Sequence, residues 1–125
     1  MDIELSPATG NFEITPGPGE DVRDIAAAVI VSSYENGDPV GMGTLRAHWT
    51  QLTKEMALRM LDGEDVSHDY PGASPNKKDS VYMDYVFGRC CKTMVKIVDG
   101  KVVGRISTRD RDPVVILQAV EKGEF

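Results

Sequence analysis

The sequence lacks a long hydrophobic run, and its 125 residues include only two cysteines, two histidines and 6% aromatic residues. No apolar stretch approaches the roughly 18 residues of a membrane-spanning helix, so no membrane contact is expected. It has no Ser-His-Asp set, no glycine-rich phosphate loop and no HExxH pattern. These absences favour a protein without a cofactor, and they leave enzymatic activity without a supporting motif.

The two cysteines, Cys90 and Cys91, are adjacent in the chain. Neighbouring residues of a strand point to opposite faces, so a disulfide between them would strain the backbone. Their spacing matches neither a zinc knuckle nor a thioredoxin-type motif. The pattern predicts one buried thiol and one thiol on the other face of a sheet.

Hydrophobic residues make up 41% of the chain and charged residues 27%, which is typical of a globular protein. The net charge of −6 is uneven, because residues 1–76 hold 4 Lys and Arg against 13 Asp and Glu, whereas residues 77–125 hold 10 against 7. This balance argues against non-specific nucleic-acid binding and leaves only a local basic patch for it. The acidic start lacks the pattern of a secretory signal, so a cytoplasmic location is expected.

Residues 1–20 are rich in proline and glycine and are predicted to form a loosely held arm, in which only Asn11–Thr15 has the character of a strand. Residues 21–125 are predicted to form a single α+β domain. Its first element is a helix at about 22–34, with acidic residues at its start and Asn36-Gly37 beyond its end. The apolar run in this segment leaves a core strand at Ala28–Ser32 as the alternative.

A long amphipathic helix is predicted at about 44–61, with Thr44 as its N-cap. Apolar residues recur along it at spacings of three and four, which places them on one face. They are Leu45, Trp49, Leu52, Met56 and Met60. A C-terminal helix is predicted at about 112–122, because Asp112 can cap it and Pro113 suits the first helical position. Its apolar face is expected to pack on the hairpin described next.

The strongest local signal is an antiparallel β-hairpin at about 81–98 and 101–108, within a small sheet. Asp99-Gly100 lies between two β-branched runs, and a two-residue turn of this type needs positive φ at both positions. The turn fixes the register, so Val95 should lie opposite Gly104. A glycine there predicts a bulge or a closely packed neighbour. Gly88 predicts a second bend, upstream in the first strand.

One face of this hairpin is apolar and the other is basic, because side chains alternate along a strand. Arg89 is also counted among the cations, although the bend at Gly88 leaves its side of the sheet open. The candidate binding residues are Arg89, Lys92, Lys96, Lys101 and Arg105. Such cations could hold a phosphate or carboxylate, could pair internally, as Arg89 with Asp84, or could serve solubility alone.

An acidic loop follows the long helix and contains the chain's only concentrated set of hard-metal ligands. Its candidate ligands are Asp62, Glu64, Asp65, His68 and Asp69. Their spacing does not match the EF-hand pattern, and no second histidine follows at the fourth position. A solvated acidic loop is the alternative interpretation.

The segment DYVFGRCCK at residues 84–92 resembles one found in small uncharacterised proteins of phages and prophages, which pair a DYxxGRxxK stretch with a strand, an Asp-containing turn and a C-terminal helix. The resemblance covers about residues 81–122 and implies a phage-type origin. It implies no activity, substrate or cofactor, and it does not extend to the acidic N-terminal half.

Three hypotheses for function follow from the sequence. The first is a small non-catalytic binding or accessory protein that contacts a protein or an anionic partner through the basic hairpin face. The second is a small enzyme or metal-binding protein that uses the acidic loop at residues 62–69. The third is a structural homo-oligomer in which the hairpin edge and the N-terminal arm pair between chains.

Overall fold

The computed structural model describes residues 1–35, 53–64, 81–82, 85–86, 89–90, 93–106 and 112–124. These residues form an α+β fold, as predicted. The strands are β1 (Asp2–Leu5), β2 (Asn11–Thr15), β3 (Val81–Tyr82), β4 (Tyr85–Val86), β5 (Arg89–Cys90), β6 (Thr93–Val98) and β7 (Lys101–Ile106). The helices are α1 (Val22–Glu35), α2 (Lys54–Leu61) and α3 (Pro113–Lys122).

The main sheet is antiparallel, with its strands in the order β1-β2-β7-β6-β3. The predicted hairpin is its centre, and the predicted register is confirmed: Val98 pairs with Lys101, and Val95 pairs with Gly104. Asp99 and Gly100 both have positive φ, at 51° and 75°. The two-residue turn therefore sets the alignment of the whole hairpin, because each further pair follows from it.

The first strand of the hairpin is shorter than predicted, since the segment from Val81 to Val98 contains four strands rather than one. β3 pairs with β6, whereas β4 and β5 form a separate two-stranded ladder in which Val86 lies opposite Arg89. Gly88, where a bend was predicted, lies outside the described residues. The second strand ends at Ile106 in the described residues, and positions 107–108 lie outside them.

Residues 1–20 differ from the predicted loose arm, because they supply two strands of the sheet. β1 pairs with β2, and β2 pairs with β7, so that Phe12 lies opposite Gly104. Phe12 and Ile14 are buried in the core. Burying these side chains offsets the entropy of ordering the segment, despite its proline and glycine content.

Helix α1 confirms the predicted helix at about 22–34 and excludes the alternative strand at Ala28–Ser32. Every residue from Ile25 to Ser33 is buried. The helix packs on β6 and β7 and also contacts α2 and α3. A helix that is apolar on all sides is stable only when it is covered on all sides, and these neighbours provide the cover.

Helix α2 begins at Lys54, so the predicted single helix over 44–61 is wrong in its boundary. Thr53 has an extended backbone, with φ −95° and ψ 162°, and its hydroxyl accepts a hydrogen bond from the Met56 amide at 3.2 Å. A residue in this conformation is an N-cap and ends any helix that precedes it. The proposed cap at Thr44 lies outside the described residues. Of the predicted apolar stripe, Met60 is fully buried and Met56 is half-buried.

Helix α3 confirms both predicted N-terminal signals. The Asp112 carboxylate accepts a hydrogen bond from the Val114 amide at 2.9 Å, and Pro113 is in the first turn. Its packing differs from the prediction, because α1 occupies the inner face of β6 and β7, and α3 packs on α1. The two helices are joined at a polar point as well, where the Ser32 hydroxyl donates to the Ile116 carbonyl at 3.3 Å. Helix α1, which has no polar face, therefore lies between the sheet and α3.

Thr93 is completely buried on the inner face of β6, and its hydroxyl has no hydrogen-bond partner in the part of the chain that the structure describes. A buried hydroxyl without a partner costs about 1–3 kcal/mol. We therefore expect Thr93→Val, which keeps the branched shape, to raise the free energy of unfolding by about 1 kcal/mol. The measurement is urea unfolding followed by circular dichroism.

Thr93→Ser is the matched control, because it keeps the hydroxyl and removes the methyl group. It should lower the free energy of unfolding by about 1 kcal/mol. A lower urea midpoint for Thr93→Val than for the unmodified chain would contradict the assignment of an unsatisfied hydroxyl.

Candidate functional site

The candidate site is the face of the main sheet that points away from helix α1, here called the outer face. Its residues are exposed or half-exposed, and they alternate along each strand with residues that are buried or partly buried. It consists of Asp2, Glu4, Asn11, Glu13, Thr15, Met94, Lys96, Val98, Lys101, Val103 and Arg105.

Two large apolar side chains are exposed on this face. Met94 is 45% exposed and Val98 is 39% exposed, and both belong to β6. Lys96 lies between them on the same strand and is also exposed. Methionine is enriched at protein–protein interfaces, and the aliphatic stem of Lys96 can add apolar contact area beside Met94 and Val98.

Three of the five predicted binding residues come together here. Lys96, Lys101 and Arg105 occupy neighbouring positions on β6 and β7, as the hairpin register predicted. Arg89 lies in β5, which belongs to the separate ladder, and its side chain is not among those described. Lys92 lies outside the described residues. The predicted binding residues whose side chains the structure describes therefore lie on β6 and β7.

The three cations differ in their partners. The Arg105 Nε group donates to the Thr9 carbonyl at 3.0 Å, which ties β7 to the turn between β1 and β2. Lys101 Nζ lies 3.8 Å from Glu13 Oε2. Lys96 has no ion-pair partner within the described chain. It is consequently the cation most available for an external contact.

The acidic half of this face was not predicted from the sequence. β1 and β2 continue it and add the carboxylates of Asp2, Glu4 and Glu13, which lie beside the three cations. The outer face is therefore acidic on one side and basic on the other. The strand character predicted at Asn11–Thr15 is confirmed as β2, and the same polar-apolar alternation in DIEL is the signal that could have found β1.

One row of cross-strand neighbours shows the division most clearly. Glu4 lies opposite Glu13, Glu13 opposite Val103, and Val103 opposite Lys96. With strands about 4.8 Å apart, Glu4 and Lys96 are separated by roughly 14 Å at their backbones. No ion pair joins them within the described chain. Neither Glu4 nor Lys96 has an ion-pair partner among the described residues.

The acidic side also has a shape that could receive a side chain. An open concavity of about 460 Å³ runs along β1 and β2, and Glu4, Asn11 and Glu13 are among its lining residues. Carboxylates at a concavity favour a cationic group from outside.

The predicted metal ligands are only partly described. Asp62 forms an ion pair with Arg23 at 3.0 Å, and Glu64 is held by two hydrogen bonds from Arg59 at 2.9 and 3.0 Å. These bonds hold the pKa of Glu64 below its ordinary value. Asp65, His68 and Asp69 lie outside the described residues. The Asp62 carboxylate thus connects the end of α2 to α1, and the Glu64 carboxylate binds back to α2 just beyond its end.

A second acidic groove, of about 410 Å³, lies between the start of α1 and the end of α3. Beside it, the Met1 amino group forms an ion pair with Glu20 at 2.8 Å, which raises the pKa of the amine. The same hydrogen bond, with one from the Gly17 amide, lowers the pKa of Glu20. The Glu20 carboxylate therefore holds the N-terminus of the chain against residues 17–20. Within residues 1–35, 53–64, 93–106 and 112–124, no group of three or more His, Cys, Asp or Glu side chains could hold a metal ion.

Comparisons with protein-family models, with curated proteins and with solved structures each find no match for this chain. Among the helices that the structure describes, none combines the length and the apolar character needed to cross a membrane.

Proposed function

We propose that this chain is a small non-catalytic binding protein that contacts a protein partner through the outer face. The observation that carries the proposal is the exposure of Met94 and Val98 on either side of Lys96, on a sheet whose other face contributes to the buried core. Apolar side chains contribute most of the affinity of such contacts, and nearby charges select the partner. A cytoplasmic location and a phage-type origin, which is supported by the segment at residues 84–92, are part of this proposal.

The alternative based on the acidic loop receives less support. Asp62 and Glu64 already have arginine partners, so a metal ion would have to displace these ion pairs. The outer face carries charged groups that have no such partner, namely Glu4 and Lys96 among the described residues.

The test is partner capture by an immobilised Lys96→Glu/Lys101→Glu variant. Arg105 is left unchanged because its hydrogen bond to Thr9 supports the fold. A lysate of the source organism is passed over the unmodified chain and over the variant, and bound proteins are quantified by mass spectrometry. We expect the variant to lose at least about 90% of the specific partner, because like charges across an interface cost several kcal/mol.

The matched control is Lys54→Glu/Lys122→Glu, which has the same net charge but changes α2 and α3. It should capture the partner as the unmodified chain does. Equal capture by the outer-face variant and the unmodified chain, with circular dichroism showing both folded, would overturn the proposal.

A further inference from the structure

We infer that the partner of the outer face is a second copy of this chain, bound face to face in a symmetric dimer. This inference rests on the proposed function and names the partner at the same surface. The supporting observation is that the outer face is complementary in charge to itself. Its carboxylates lie on β1 and β2 and its cations on β6 and β7.

The direction of the two-fold axis follows from this division. An axis parallel to the strands, between β2 and β7, turns the acidic side of one copy over the basic side of the other. An axis across the strands would instead place each strand over its own copy, so carboxylates would face carboxylates. Like charges in contact are unfavourable, and the parallel axis is therefore selected.

Glu4 and Lys96 form the defining contact. They end the same cross-strand row, so the parallel axis places Glu4 of one copy over Lys96 of the other, and the contact occurs twice. Two packed sheets are about 10 Å apart, a gap that a lysine and a glutamate side chain can span together. The concavity beside Glu4 and Glu13 gives the incoming lysine stem a place to lie.

Edge-to-edge pairing through β1 is a less favourable route to a dimer. Antiparallel pairing of two β1 strands places Asp2 of one copy opposite Glu4 of the other when Ile3 pairs with itself. Like charges directly opposite each other destabilise a strand pair. These carboxylates thus protect the edge strand and leave the face as the contact surface.

The size of the face sets the strength of the dimer. Four strands about 4.8 Å apart and about five residues long give a flat footprint of roughly 300–400 Å² per copy. The two copies together bury roughly 600–800 Å², less than the about 1,200 Å² of a standard stable interface, so the dimer should be weak, form only in the upper micromolar range and weaken further with salt.

The experiment is sedimentation equilibrium from 5 to 500 µM protein, with single charge reversals and their mixture. Glu4→Lys alone and Lys96→Glu alone should each raise the dimer dissociation constant at least about tenfold, because each places like charges at both contacts. An equimolar mixture of the two variants should restore it to within about threefold of the unmodified chain. In the mixed dimer, both contacts again join a lysine and a glutamate.

The controls are Glu121→Lys and Lys122→Glu, which make the same charge changes on α3 and should leave the dissociation constant unchanged. Restoration by mixing cannot arise from a folding defect, because two misfolded chains do not repair each other. A monomer at 500 µM, or a mixture no tighter than the single variants, would overturn the inference. If that monomer still loses its captured partner on Lys96→Glu/Lys101→Glu substitution, the proposed function stands and the second copy is excluded.

Discussion

Gly104→Ala is expected to lower the free energy of unfolding by about 3 kcal/mol or more, because the position has no room for a methyl group. A Cβ atom built on Gly104 overlaps the carbonyl oxygen of Met94 and lies 3.1 Å from the Phe12 ring. The carbonyl belongs to the backbone of the neighbouring strand, so it cannot move without distorting the β6–β7 ladder. Denaturant unfolding followed by circular dichroism measures the effect.

The control is Val103→Ile, which adds one methylene to the adjacent position on the outer face. Its effect should stay within about 0.5 kcal/mol, because the added group points towards solvent. If Gly104→Ala does not fold at all, the milder Phe12→Leu still tests the contact and should cost about 1 kcal/mol. A Gly104→Ala protein with an unchanged unfolding midpoint would contradict the close approach of β6 and β7.

Ile14→Ala is expected to cost about 3 kcal/mol, which is the usual range for truncating a fully buried branched side chain. Ile14 is completely buried and contributes to the same core as α1 and β7. The result distinguishes a sheet strand from a loosely held arm, since an arm could lose this side chain at almost no cost. The free energy of unfolding is again measured with denaturant.

Thr15→Ala, one residue further along β2, is the control because Thr15 lies on the outer face. It should change the free energy of unfolding by less than about 0.5 kcal/mol. Similar small effects for both variants would show that β2 is not held in the core.

The elements that the sequence predicted well depend on local signals. The two turn residues Asp99 and Gly100 determine the register of the whole hairpin. Asp112 and Pro113 determine where α3 begins. The boundary of α2 was missed because Thr44 and Thr53 are both acceptable N-caps, and side-chain periodicity does not choose between them. Thr53 is an N-cap because its backbone is extended, and this backbone conformation cannot be inferred from the sequence alone.

The missed half of the outer face has a different cause. β1 and β2 are each only four or five residues long, and β2 pairs with a strand about 90 residues away. The proline and glycine residues around them favour a loop on local grounds. Tertiary pairing and the burial of Phe12 and Ile14 override that local preference. The cations of the site could thus be predicted from the hairpin, whereas the alternation in DIEL and NFEIT indicates strands without showing that they pair beside those cations.

The pairing of β2 with β7 also determines the order in which a newly made chain can complete its fold. β6 and β7 are adjacent in the chain and can close within microseconds. β2 leaves the ribosome long before β7, and joining them closes a loop that costs about 4 kcal/mol of chain entropy. Until β7 emerges, β2 can pair only with β1. The β1–β2 segment is therefore synthesised early but joins the rest of the sheet late.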